Sequence, residues 1–417
     1  FYYQRCGMEV PGYHGACHLD DARGPDGAGQ QPLWGGWHDA GDYNKYHNAP
    51  YVFGLACAYA EQRNAFDALG TEPSGFASFF DEILWGGDHA RRMVMADGSA
   101  FGPITSGYGY FGPPELETDN LPGTGDERPG NPVSGADPDM HQAALARIAV
   151  LLGGKSAMAV EHAVWVETAA RSLAYSLKTG RRDLLQLSTA VDLYTCTEDA
   201  SYAKIAAELC EALFPPQGVE SPSALHVELA RRCDQALGTR LAESLAPAVL
   251  RKAEGMLENS RNPFGVYTFG PPENPNYFGT PTDTGGFHLG TNSHLLEAAG
   301  FMALAFQMEP RPEFLVFIYD QFNWVLGLNP YNVCLMEGAG SVSLPSYHHR
   351  YTFAGVKRGA VPGGVVNGIT WRAVRDDRPF LDISGRDIPA FESNEVWLPH
   401  NTAFLKALAY LKTAELK

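Results

Sequence analysis

The chain has 417 residues and a formal net charge of -17 at pH 7, from 48 acidic and 31 basic side chains. That field repels phosphate backbones and anionic lipid surfaces, so nucleic acid and membranes are not expected partners and neutral or cationic ones remain. No run approaches the roughly 18 apolar residues of a membrane span, and 45% hydrophobic and 12% aromatic content with a mean hydropathy of -0.21 describe a globular protein with more rings than its core needs.

The chain opens on "FYYQRCG". This start is compatible with signal processing or with a lost upstream domain, and export is the expectation. Seven cysteines are too few and too scattered for a disulfide scaffold, and an odd count leaves at least one thiol unpaired or otherwise engaged. Cys6 and Cys17 lie close to histidines, which suggests a metal; His14 and His47 are among the rival ligands.

Next comes "PLWGGWHDAGDYNKY", residues 32–46, with Asp39 and Asp42 three residues apart beside His38. Two like charges so close raise one another's proton affinity, a cost that asks for a use. Helix capping explains one aspartate and hardly both. A catalytic reading explains the pair: two carboxylates can hold and deprotonate a water, one as base and one orienting it.

From about residue 48 the apolar residues recur at three and four spacing, through "APYVFGLACAYAEQRNAF", "FASFFDEILWGGDHARRMV", "MHQAALARIAVLLGG", "AMAVEHAVWVETAARSLAYSLKTG", "YAKIAAELCEALF", "ALHVELARRCDQAL" and "RLAESLAPAVLRKAEGMLENS". Later come "NSHLLEAAGFMALAFQM", "PEFLVFIYDQFNWVLGL" and "HNTAFLKALAYLKTAEL". Strand patterns are sparse, so the expectation is a nearly all-α fold of ten or more helices, suited to antiparallel pairs wound into a ring; without a fixed repeat a solenoid is disfavoured. Phe79, Phe80 and Trp85 are expected in the core.

Two long Gly/Pro/aromatic stretches, 101–138 and 262–287, interrupt the helices, and loops of that length in a compact protein usually carry function. Tyr108, Tyr110, Phe111, Tyr267, Phe269, Tyr277 and Phe278 offer flat apolar surfaces there. A third irregular region, 329–399, contains "SYHHRY" and runs into "ESNEVWLPHNTAF". These regions and the opening stretch are expected to converge on one face. Glu395 is the candidate acid partner for the aspartates, with Glu392 the more ordinary first-turn glutamate. His348, His349 and Arg350 offer donors to hydroxyls or to a carboxylate; as a surface basic cluster they would have no such task. "GGKS" at 153–156 is no phosphate loop, because Ala149 stands where that motif requires glycine, and no Gly-x-Ser-x-Gly or His-Glu-x-x-His motif occurs.

"GGWHDAGDYNKY", "YHHRY", "LGTNSHLLEAAGFMALAF", "LGLNP" and "NEVWLPHNTAF" together resemble the motifs of family 9 glycoside hydrolases, inverting cellulases with an (α/α)6 barrel. The resemblance covers essentially the whole chain and implies one catalytic domain over residues 1–417, with the long loops forming a cleft on one face. It implies that Asp42 is the general base, Asp39 its partner in holding water and Glu395 the general acid, while His348 and Arg350 bind the sugar at the cleavage point. The opening is similar to that of zinc-binding members, which implies Cys6, Cys17, His18 and His38 as ligands of a structural zinc. Calcium occurs in the family, but no EF-hand loop is visible and no ligands are assigned.

Two departures fall near the subsites: Leu289, Gly290, Thr291 and Asn292 replace a tryptophan-led motif, and Leu398, Pro399, His400 and Asn401 replace an aromatic run. The expected substrate is a β-1,4-linked glucan or its oligosaccharides, and secretion or a periplasmic location follows from that class. An exo-acting glucosaminidase or cellodextrinase is the alternative enzyme, and a zinc-stabilised carbohydrate-binding protein without turnover is the alternative non-enzyme. In relatives an immunoglobulin-like domain often precedes this barrel.

Overall fold

The computed structural model describes residues 1–21, 33–46, 48–70, 78–105, 109–128, 130–132, 138–153, 159–268, 290–354, 361–370 and 379–415. Its helices are, in chain order, α1 (Asn48–Glu61), α2 (Arg63–Asp67), α3 (Phe79–Arg92), α4 (Pro138–Leu152), α5 (Ala159–Leu177), α6 (Leu184–Thr197) and α7 (Ala200–Leu213), followed by α8 (Ala224–Leu237), α9 (Leu241–Glu258), α10 (Asn292–Met308), α11 (Pro312–Leu326), α12 (Arg350–Phe353), α13 (Phe391–Asn394) and α14 (Leu398–Glu415). Among the described residues the only sheet is an antiparallel pair, β1 (Phe101–Ile104) with β2 (Gly130–Pro132), in which Phe101 faces Pro132 and Ile104 faces Gly130.

Helices α1, α4, α6, α8, α10 and α14 each pack on the next, and α14 returns to α1, closing a ring. Outside it, α3 packs on α1 and α4, α5 on α4 and α6, α7 on α6, α9 on α8 and α10, and α11 on α10. Alternation of inner and outer helices along the chain makes this an (α/α)6 barrel, with five long outer helices among the described residues. Composition explains which helix goes where. In α10 nearly every position from Leu295 to Ala305 is buried, as suits a helix that is apolar all round, whereas α7 buries only Ala206, Leu209 and Cys210 and turns Lys204, Glu208 and Glu211 to solvent.

Helix α6 belongs to the ring but carries no apolar stripe in the sequence. Its buried run from Gln186 to Leu193 mixes Ser188, Thr189 and Asp192 with aliphatics. The polar groups are absorbed locally: Thr189, Thr195 and Thr197 donate to the carbonyls of Leu185, Val191 and Leu193 at 2.8, 2.8 and 2.7 Å. The first predicted helix, in turn, is divided at Gln62, whose φ of -134° separates α1 from α2.

The segments ahead of α1, α10 and α14 meet at one end of the ring, so that part of the expected convergence of loops is seen directly. Leu398 N–H donates to the Asp39 carbonyl at 2.9 Å, Gly290 N–H to that of Glu392 at 2.9 Å, and Asn292 N–H to that of Asn367 at 3.2 Å. Trp37 anchors this end. Fully buried, it exchanges backbone hydrogen bonds with the Asn48 side chain at 2.7 and 3.0 Å, and its ring lies on Gly86 of α3, where an added Cβ would collide with the indole. Gly86→Ala should therefore destabilise the protein by about 1–3 kcal/mol through overpacking, against a helix-propensity gain of up to about 1 kcal/mol. Chemical denaturation measures the net sign, and a stabilised variant would contradict the contact.

Candidate active site

Cys6, Cys17, His18 and His38 are all fully buried, and one donor atom from each lies within 4.8 Å of the others. His18 Nδ1 is 3.6 Å from Cys6 Sγ, His38 Nε2 is 3.8 Å from Cys17 Sγ, and these two ring nitrogens are 3.5 Å apart. The far nitrogens are also held: His18 Nε2 lies 2.9 Å from Glu117 Oε2, and His38 Nδ1 lies 3.0 Å from the Tyr351 hydroxyl, itself 3.1 Å from the Tyr3 carbonyl. Outer partners of this kind fix the tautomer and orientation of metal-bound imidazoles. Both thiols are free, and His18 takes a left-handed φ of 52°, backbone strain that tends to gather at functional sites.

Two thiols and two imidazoles in a closed, dry pocket can hold one metal ion, and this donor set fits zinc chemistry. His14 stands outside the set, with Nδ1 on the Gly15 carbonyl at 2.7 Å, and His47 lies outside the described residues. A second group, Asp20, Asp119 and Asp126, brings three carboxylates together, but two are exposed and it carries no assignment.

One residue past His38 begins the carboxylate centre. Neither aspartate caps α1. Asp42 instead closes a turn on itself, its carboxylate accepting from the Asn44 amide at 3.2 Å and from the Asn44 side chain. Asp39 is 1% exposed and neither of its oxygens makes a full hydrogen bond. Glu395 reaches this loop from the other end of the chain: its Oε1 accepts from Gly41 N–H at 3.2 Å, so the acid sits against the residue between the two aspartates. Gly41 is required there, because a Cβ would run into the His348 carbonyl and lie 3.2 Å from Glu395 Oε1.

Burial raises the proton affinity of all three carboxyls. Asp39 is pushed well up by burial, then by the charges of Asp42 and Glu395. Burial raises Asp42 too, but the Asn44 amide and side chain and the Arg350 guanidinium favour its charged form. Glu395 is pushed up to about 8, first by burial and then by Asp42, against the Gly41 amide and Arg350. Interacting groups like these titrate as a set. Asn44 and Arg350 thus favour charge on Asp42 while Asp39 and Glu395 are pushed up, and unequal proton affinities within one cluster are what acid–base chemistry uses.

The "HHR" triplet divides its labour. His348 pairs with Glu395 in a parallel bridge; its Nδ1 contacts the Pro389 carbonyl at 2.8 Å and its ring stands edge-on to Phe353 and Phe391. Arg350 N–H donates to the Gly41 carbonyl at 2.8 Å, and its guanidinium lies 5.4 Å from the Tyr43 ring and 5.5 Å from that of Phe111. His349 turns inward, fully buried: Nε2 is 3.1 Å from Gln4 Oε1, and Nδ1 accepts from Tyr351 N–H as the cap of α12.

Three charged residues that sequence reasoning passed over clamp this region. Arg128 grips Asp21 with two hydrogen bonds of 2.8 Å and donates to the Tyr43 carbonyl at 2.6 Å, while Lys45 Nζ is 2.6 Å from Asp21; all three are buried. Tyr351 and Glu117 were missed as well. Glu117 and Arg128 sit in polar loop sequence, "ELETD" and "DERPG", where a charge carries no signal of its own. The departures near α14 also find a role: His400 Nε2 is 2.7 Å from Asn367 Oδ1, and Asn367 N–H bonds the Glu395 carbonyl at 2.8 Å. Leu289 lies outside the described residues.

The aromatic residues are less available than their number suggests. Trp37 and Tyr43 are buried, Trp34 lies beneath Arg92 at 4.3 Å, and Trp85, half-buried against the core as expected, also donates to the Gly36 carbonyl at 2.9 Å under the Arg5 guanidinium. Tyr110 bonds the Pro113 carbonyl, and Tyr267 packs edge-on to Phe317. Phe111, 49% exposed, is the open ring beside Arg350. Tyr108, Phe269, Tyr277 and Phe278 lie outside the described residues.

Residues 1–408 match the model of glycosyl hydrolase family 9, and the chain belongs to that family. Endoglucanase D of Acetivibrio thermocellus is 33% identical over 137 residues, 28% of this chain and 22% of that relative's length. Among solved structures, a Zn-binding triple mutant of the family 9 endoglucanase J30 superposes with a TM-score of 0.75 at 20% identity, covering 100% of this chain and 83% of the other. The cellulase Cel9M of C. cellulolyticum, in complex with cellobiose, gives 0.69 at 18% identity over 98% and 95%. At such identities these structures establish the shared fold.

Because the Glu395 carboxyl stands at about 8 against an ordinary 4.5, ionising it costs the folded state stability progressively across that interval. Glu395→Gln keeps the acceptor for Gly41 and removes the ionisation. The melting temperature of the variant relative to wild type should rise as pH increases from about 5 to about 8. A flat difference across that window would mean that Glu395 is not held protonated.

Proposed function

We propose that this chain is an inverting glycoside hydrolase of β-1,4-linked glucans or cello-oligosaccharides, acting through a single catalytic domain that spans residues 1–417. The observation that carries the reading is the contact of Glu395 with Gly41, which joins a buried carboxyl of raised proton affinity to a loop bearing two aspartates. Inversion calls for acid and base on opposite sides of the scissile bond, roughly 6.5–9.5 Å apart, with a water beside the base. Asp42, turned toward the carboxylate form by Asn44 and Arg350, takes the proton from that water as it attacks the anomeric carbon. Asp39 shares the water's orientation, and Glu395 protonates the departing oxygen. Arg350 and His348 hold the sugar at the cleavage point, and Phe111 offers a ring face to a neighbouring unit.

Zinc in the Cys6, Cys17, His18 and His38 set would supply structural rigidity and no step of the reaction. His38 adjoins Asp39 in sequence, so fixing its ring fixes the start of the base loop. The substrate class rests on the family, on Endoglucanase D as a relative and on the cellobiose carried by Cel9M. Among the described residues no helix is long and apolar enough to cross a membrane, and a polysaccharide substrate favours a secreted or periplasmic enzyme. A net charge of -17 and the altered motifs at Leu289–Asn292 and Leu398–Asn401 favour a second reading, an exo-acting enzyme on a cationic amino sugar.

Three measurements test these assignments. Asp42→Asn should lose at least roughly a hundredfold in kcat, the scale of a general base, with an unchanged melting temperature; unchanged turnover on cellodextrins, β-glucan and chito-oligosaccharides would remove Asp42 from the mechanism. Proton NMR of the first product should show the α anomer, and early viscosity loss against early monosaccharide release separates endo from exo action. Elemental analysis should find one zinc per chain, absent in Cys17→Ser, with a melting temperature lowered by several degrees; full metal-free stability would refute the structural role.

A further inference from the structure

Outside the metal set, two thiols meet. Cys210 on the outer helix α7 and Cys233 on the ring helix α8 lie sulfur to sulfur at 3.6 Å, 6% and 0% exposed, within one apolar cluster that includes Leu209 and Leu229. Among the described residues neither belongs to a group of donors able to hold a metal, unlike Cys6 and Cys17. Both thiols are free, and the distance is that of two sulfurs in van der Waals contact. Bonding requires the sulfurs to close from that separation to about 2.05 Å.

We propose that Cys210 and Cys233 are a disulfide-forming pair that fastens α7 to α8 when the protein meets a low-molecular-weight disulfide such as oxidised glutathione. Cys210, the more accessible, attacks first. Its thiolate displaces one glutathione thiolate and forms a mixed disulfide; Cys233, losing its proton, then attacks the Cys210 sulfur and displaces the second. Two protein thiols and one glutathione disulfide become one protein disulfide and two glutathione thiols, so two electrons and two protons leave the protein. The sulfur contact supports this order, since it lowers Cys210 and raises Cys233 in proton affinity.

The bond would add a covalent tie between an outer helix and the ring. Ala206, Leu209 and Cys210 of α7 are buried, and Tyr202, Ile205 and Leu213 pack half-buried on the same cluster. A crosslink from α7 to α8 restricts local opening of that outer helix and the unfolded chain alike.

The test uses the full, metal-loaded chain incubated with oxidised glutathione, alkylated without reduction and mapped by mass spectrometry. The expected result is one crosslink joining the Cys210 and Cys233 peptides with a two-hydrogen mass loss, Cys6 and Cys17 uncrosslinked, and a melting temperature several degrees above that of the reduced protein. Cys233→Ser should keep the fold and the activity of the reduced wild type and lose the shift; Cys210→Ala serves the same purpose should the serine disturb the core. Free Cys210 and Cys233 after oxidation, or a crosslink that leaves the melting temperature unchanged or lower, would overturn the proposal.

Discussion

One backbone residue, Gly41, holds the candidate site together. Its N–H points at Glu395 and its carbonyl receives the Arg350 N–H, so a loop near the start of the chain, a short helix near residue 350 and the segment ahead of the last helix share a single peptide. No side chain fits between the His348 carbonyl and Glu395 at that point. The two aspartates are carried on either side of it. Wherever Gly41 is placed, Asp39, Asp42, Glu395 and Arg350 are placed with it.

What keeps that peptide still is a shell of buried polar contacts. On one side Trp37 is locked by Asn48 and by the surface of α3. On another, Arg128 and Lys45 converge on Asp21 and draw in the Tyr43 carbonyl. Beneath, the paired imidazoles and thiols link the opening segment to His38, and Tyr351 ties His38 to the helix that carries Arg350. Truncating one member of such a network leaves charges buried without partners, and that cost exceeds what the intact network contributes. The network therefore acts more as a specification of geometry than as a source of stability.

Much of the architecture was legible in the sequence because most helices repeat apolar residues at three and four spacing, whether as an amphipathic stripe in α8 and α9 or as a nearly continuous apolar run in α10 and α11. Helix α6 escaped because its buried run interleaves serine, threonine, glutamine and aspartate with aliphatics: Thr189 bonds its own helix, while Gln186 reaches Ser176 of α5 and Asp192 pairs with Arg147 and Arg232. The aspartate pair was legible from its improbability: like charges set among aromatics carry an electrostatic cost that packing alone does not explain. Glu395 was legible only by family resemblance, since nothing local distinguishes it from Glu392. Asp21, Lys45, Arg128, Glu117 and Tyr351 were invisible because each is meaningful only through a partner far away in sequence. Of the adjacent histidines, His349 was indistinguishable from His348 until its ring was seen turned toward Gln4.

The aromatic excess has a different origin from the one composition suggested. Rings spared from a core can line a cleft, yet Trp37, Tyr43 and Tyr351 are themselves buried, the two tyrosines packing against the His38 imidazole. A buried site solvates ionised carboxyls poorly, and burial is the largest influence on Asp39, Asp42 and Glu395 alike. Within that common background the differences come from a few polar neighbours: Asn44 and Arg350 favour charge on Asp42, while Glu395 has the Gly41 amide and Arg350 opposing the charge of Asp42. Shared burial with unequal polar contacts gives three identical functional groups different proton affinities, the difference that a division into acid and base would require.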